Sequence, residues 1–111
     1  MANVYIPQVP SKYSVSMDLR IPTVNLSAAQ RYGDIVELLP QDARRVAIGP
    51  LVEVLKERLT KYAADDFFVA LGDPALIAAT AAIIGKKTGG KLRMLKWDKD
   101  VKDYFLVEIQ V

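Results

Sequence analysis

The sequence predicts one small α/β domain, with a mixed sheet built from a parallel βαβαβ unit and a C-terminal antiparallel hairpin. Three observations predict it. From Asp34 to Trp97, strand-like and helix-like segments alternate, the pattern of parallel strands joined by right-handed crossovers. From Lys91 onward, two segments of strand character flank a charged turn at Asp98-Lys99-Asp100, which is a hairpin signal. A chain of 111 residues, 51% hydrophobic and 25% charged, is globular and has room for one core only.

Each element has its own warrant. Val4 to Ile6 has strand character, and Pro7 and Pro10 predict that it lies at an edge. Residues 1–26 read as an extended N-terminal arm on a domain spanning 27–111. Within the arm, Tyr13, Val15, Met17, Leu19 and Ile21 form a period-2 apolar series, which predicts that it docks on the body. Ser27 is placed to cap a short helix through Tyr32, with Gly33 supplying a left-handed end. A strand from Asp34 to Leu39 closes at Pro40, and residues 41–47 form a polar connection.

Gly49-Pro50 opens the next helix, because a first-turn proline gives up no hydrogen bond. Leu51, Val52, Leu55, Leu59 and Tyr62 mark its buried face, while Glu53, Lys56, Glu57, Arg58 and Lys61 mark its wet face. Phe67 to Leu71 is a short continuous apolar run, the mark of a strand buried on both faces. Asp73 caps and Pro74 begins a helix from Ala75 to about Lys87 that is apolar almost all round, which places it in the core. Gly89-Gly90 ends it. In the last strand Phe105, Val107, Ile109 and Val111 alternate with Tyr104, Leu106, Glu108 and Gln110, so the first set predicts a core face.

Composition narrows the chemistry. The chain has no cysteine and no histidine, which removes disulfides, thiol nucleophiles, histidine general bases and the common zinc, copper and haem ligand sets. Neither a metal nor a cofactor is expected. A net charge of +2 is too small to indicate a dedicated nucleic-acid protein by itself. The N-terminal residues lack the pattern of a signal peptide, and Ala75 to Ile84 is too short to span a bilayer. A cytoplasmic protein with no membrane partner is the expectation.

Three segments invite a functional reading. Gly72, Asp73 and Pro74 lie where a parallel strand hands over to a helix, the place where open α/β sheets bind ligands and where free N–H groups favour an anion or nucleotide. Ordinary capping by Asp73 explains the same residues without a ligand. Gly85 to Lys91 superficially suggests a phosphate loop, yet a P-loop needs glycine where Thr80 stands, and here the glycines follow a helix rather than open one. Lysines at a helix C-terminus account for it. Lys91, Arg93, Lys96, Lys99 and Lys102, with Trp97 among them, suit single-stranded nucleic acid on a basic hairpin. Lysines that protect a sheet edge from aggregation are the plainer explanation. Asp65 and Asp66 stand at the opposite end of their strand from Asp73, so these carboxylates form no catalytic pair, and no enzyme signature remains.

Taken together, Gly72-Asp73-Pro74-x-x-Ile77 with its alanine-rich helix, Leu92-x-x-Leu95-x-Trp97-Asp98 and Tyr104-x-x-Val107-Glu108 resemble small proteins encoded by tailed bacteriophages. Val4-Tyr5-Ile6-Pro7-Gln8 and Leu38-Leu39-Pro40 fit the same likeness. The resemblance implies a phage protein made in a bacterial cytoplasm and brings no activity or cofactor with it. The expected function is non-enzymatic: self-association, most simply as a two-fold dimer, and contact with a host or phage macromolecule.

Overall fold

The computed structural model describes residues 2–40 and 48–111; the connection expected over 41–47 lies outside the described residues. Phe67, Phe68 and Val69 form a strand, β5, in the middle of a five-stranded sheet. All three of its residues are buried. Its neighbours are β1 (Asn3–Ile6) and β6 (Lys91–Asp98), both parallel to it. Beyond β1 lies β4 (Asp34–Glu37), also parallel, and beyond β6 lies the antiparallel β7 (Asp103–Gln110). The α/β class, the parallel unit and the C-terminal hairpin are therefore as the sequence predicts.

The position of β1 is not. Pro7 and Pro10 stand beyond its last residue, so they cost it no ladder bonds and do not confine it to an edge. Val4 pairs with Ile35 on one side and Phe67 on the other, which makes β1 an interior strand. Residues 1–26 are thus not an arm as a whole, because residues 3–6 belong to the sheet. The segment expected to dock is instead a separate two-stranded ribbon, β2 (Ser11–Ser14) against β3 (Leu19–Pro22). Its turn leaves Val15 and Met17 86% and 60% exposed. The period-2 series arises from strand pairing within the ribbon rather than from burial against the body.

Alternation along each central strand divides the core into two layers. Tyr5 and Phe68 face α2 (Ile48–Arg58) and α3 (Pro74–Thr88), packing with Leu51, Leu55, Leu59, Leu76 and Ile84. Val4, Ile6, Phe67 and Val69 face the other way, toward α1 (Ser27–Gln30), with Ala29, Leu95 and Tyr104. Asp73 caps α3 by accepting from the Ala75 N–H at 2.9 Å, and Gly89 closes it. The expectation that α3 is buried all round is corrected. Leu76, Thr80 and Ile84 are buried, while Ala75, Ala78 and Ala82 are exposed, so its faces differ in size rather than polarity.

Two local expectations change as well. Ser27 does not cap α1; the Asn25 carboxamide oxygen accepts from the Ala28 N–H at 3.3 Å and the Ser27 hydroxyl at 2.6 Å. Gly33 is required for closeness, since a Cβ there would stand 2.1 Å from the Ala2 carbonyl oxygen. In β7 the deeply buried residue is Tyr104, whereas Phe105 and Ile109 are 43% and 37% exposed. The alternation is real, but β7 is the sheet's edge and α3 packs over β6.

Candidate functional site

An open parallel sheet binds ligands at its carboxyl edge, where neighbouring strands send their connections in opposite directions. Here that point lies between β1, whose chain leaves toward β4, and β5, whose chain leaves toward β6. The residues that follow those strands are Pro7 and Gln8 on one side and Ala70 to Pro74 on the other. The sequence-predicted loop is therefore in the expected place.

The crevice there is filled by the protein itself. Gln8 is buried, and its carboxamide oxygen accepts from the Asp73 N–H at 2.7 Å while its amide donates to the Pro40 carbonyl at 2.9 Å. The Gln8 backbone N–H adds a bond to the Leu71 carbonyl at 3.2 Å. Gly72 has φ +117°, in the left-handed half of the map, and a Cβ there would stand 2.8 Å from the Gln8 Cβ. With Gln8 on the Asp73 N–H and the Asp73 carboxylate on the Ala75 N–H, donors that an anion would seek are engaged internally.

Beside this plugged crevice, on the α1 side of the sheet, a pocket of about 530 Å³ opens over the ends of β5 and β6. Val69, Ala70 and Leu71 form one wall; Met94, Leu95, Lys96 and Trp97 form another. Thr23, Val24 and Asn25, which lead from the ribbon into α1, make the rim, and Tyr104 comes from β7. Trp97 stands directly opposite Tyr104 in the hairpin register, and their rings meet edge to face with centroids 5.0 Å apart. The Tyr104 hydroxyl donates to the Asn25 carbonyl at 3.3 Å, tying the rim to the sheet. Burial raises the pKa of that phenol, so it stays protonated and keeps the bond at neutral pH. The lining is hydrocarbon and aromatic, with Lys96 its single charged residue. Such a surface suits an apolar or aromatic group.

The structure does not gather the basic hairpin residues into one stripe. Arg93 and Trp97 share the α1 face of β6, while alternation turns Lys96 to the opposite face. Arg93 is engaged in the fold, its guanidinium 4.3 Å from the centroid of the Phe67 ring. Lys91 begins β6, whereas Lys99 and Lys102 lie in the turn beyond its far end. Of the set, Trp97 brings its ring to the pocket, and Lys96 borders it from the strand. Tyr104 stands beside Trp97 as the aromatic pair of the hairpin suggests, whereas Thr23 to Asn25 were not foreseen. The pairing of Trp97 with Tyr104 was the available signal, because an Asp98–Asp103 turn places those two residues opposite each other.

The remaining candidates have structural roles. Asp66 is buried, and its carboxylate accepts from the Asn3 and Ala63 N–H groups, both at 2.8 Å. The Gly85 carbonyl accepts from the Gly90 N–H at 2.6 Å, and the Lys87 ammonium reaches the Thr60 carbonyl at 3.1 Å, so that segment is a helix end. Among the described residues, no cluster of three acidic side chains could hold a metal ion, and no helix is long and apolar enough to cross a membrane.

A protein-family model described as "Phage Pam3 gp32-like protein" matches residues 2–111. No curated protein and no solved structure matches the chain.

Proposed function

The chain belongs to the phage Pam3 gp32-like family, and on that premise we propose that it is a non-enzymatic binding protein of the infected bacterial cytoplasm, acting by self-association and by contact with a host or phage protein. The observation that carries this reading is the pocket over β5 and β6. The crevice where an α/β enzyme would hold its substrate is closed by Gln8, whereas the open cavity beside it is apolar and walled by Trp97 and Tyr104. An exposed indole against a buried phenol is the kind of platform on which a partner's apolar side chain loses water contact.

Trp97 is the sole tryptophan, so its fluorescence reports on the pocket directly. The test is affinity capture from phage-infected cells, with wild-type protein and with Trp97→Ala, followed by titration of the captured partner against the indole signal. Saturable change of Trp97 emission, with capture lost in Trp97→Ala at unchanged Tm, supports the reading. Capture of single-stranded DNA or RNA that falls steeply with salt and with Lys99→Ala/Lys102→Ala would overturn it in favour of nucleic-acid binding.

A further inference from the structure

The free edge of β7 can be read residue by residue. In an antiparallel pair, alternate residues direct both N–H and C=O at the partner strand and the residues between direct theirs away. The β6–β7 register runs unbroken from Lys91↔Gln110 to Asp98↔Asp103, and the Val111 N–H continues it by donating to the Gly90 carbonyl at 2.9 Å. Odd-numbered residues of β7 therefore face β6, and Tyr104, Leu106, Glu108 and Gln110 face outward. Tyr104 bears this out, since its carbonyl accepts from the Arg31 guanidinium and the Tyr32 hydroxyl of the segment after α1, both at 3.2 Å. Its N–H is taken by the Asp103 carboxylate at 2.8 Å. The edge is thus capped at Tyr104. Among the described residues, no strand pairs with β7 beyond it.

We propose that β7 pairs antiparallel with β7 of a second copy across a two-fold axis at Val107, joining two sheets into one. This rests on the self-association proposed above. Outward groups must meet outward groups, which leaves few registers. An axis at Leu106 sets Glu108 against Tyr104, whose backbone groups are already used. An axis at Glu108 sets two carboxylates directly opposite each other, which is destabilising. An axis at Ile109 leaves the exposed Phe105 and Leu106 in water. The axis at Val107 avoids the last two and sets only Gln110 against Tyr104, so its ladder ends at that cap. It bonds Leu106 to the partner's Glu108 and Glu108 to the partner's Leu106. On the α2–α3 face it lays Phe105 on the partner's Ile109 twice, covering the apolar row that α3 leaves bare. The ladder stops where Arg31 covers Tyr104, and each Glu108 then points toward the partner's Arg31, an attraction of opposite charges.

The chain has no cysteine, so single introduced cysteines report the axis without background. Residues opposite one another in a non-hydrogen-bonded antiparallel pair have Cα atoms about 4.5 Å apart, within disulfide reach. Wild-type protein is expected to sediment as a dimer, and Val107→Cys to oxidise to a covalent dimer. Leu106→Cys, Glu108→Cys and Ile109→Cys should stay largely uncrosslinked under the same conditions. Glu108→Pro removes an N–H that faces away from β6 and should give a folded monomer that still melts cooperatively, at the lower Tm that follows from losing the dimer. A wild-type dimer in which a different position cross-links, or in which Glu108→Pro remains dimeric, overturns the β7 interface and leaves self-association standing. A wild-type monomer overturns both.

Discussion

The side-chain amide of Gln8 holds the backbone N–H of Asp73 at 2.7 Å, so the end of the first strand and the start of α3 are fastened to each other. Gln8→Ala should cost about 1–3 kcal/mol, because it takes the partner from the part-buried Asp73 N–H and from the Pro40 carbonyl. Thermal or urea unfolding measures this directly. A loss below 0.5 kcal/mol on the order-of-magnitude scale of such bonds would show that water replaces the amide freely.

Asp73 should behave as a cap and nothing more. Asp73→Ala is expected to lower stability by about 1 kcal/mol and Asp73→Asn by less, with partner binding unchanged. Loss of binding at retained stability would assign it to a ligand site. Gly72→Ala should be worse than Asp73→Ala, because a side chain at φ +117° is strained and also meets Gln8.

Val69→Asp should not fold. Val69 is buried in the middle strand, packed in the layer that faces α1, and an unpaired carboxylate there costs as much as a small domain's whole stability. Cooperative melting of soluble Val69→Asp protein would contradict the sheet order.

Tyr62 makes stability fall in alkali. Burial first, and the nearby Asp66 charge second, push its phenol up to about 12 from an ordinary value of 10.0. Between those values the unfolded chain has released the proton and the folded chain has kept it. Unfolding is then favoured increasingly as pH rises through that window, and the contribution is fully present below it. Chemical denaturation from pH 9 to 12 should show a decline that is shallower in Tyr62→Phe, allowing for the lost bond from the Tyr62 hydroxyl to the Asp66 carbonyl.

Much of this architecture was written into short-range signals. Asp73-Pro74 marked a helix start, Gly89-Gly90 its end, and the Phe67 run a strand buried on both faces; each rests on backbone chemistry that neighbours in sequence decide. What escaped depended on partners far along the chain. Nothing near Val4 announces that Ile35 and Phe67 will flank it, and nothing near Gln8 announces Asp73. The pocket was half legible. Trp97 and Lys96 stood out by residue type, but the rim at Thr23 to Asn25 depends on where a ribbon returns in space.

The interior place of β1 also governs how the chain acquires its form. Hairpin β6–β7 closes over a turn of four residues, Lys99–Lys102, whereas β1 meets β5 across more than sixty. Loops of that length close slowly, and contacts at large sequence separation set the pace of folding. During synthesis β1 therefore remains without one of its neighbours until Phe67 has been made. Were residues 1–24 removed, β4 and β5 would stand apart by two strand spacings, about 10 Å, a distance that no backbone hydrogen bond spans. Removing β1 dismantles the middle of the sheet, while the exposed ribbon at residues 11–22 is a stretch where length can change.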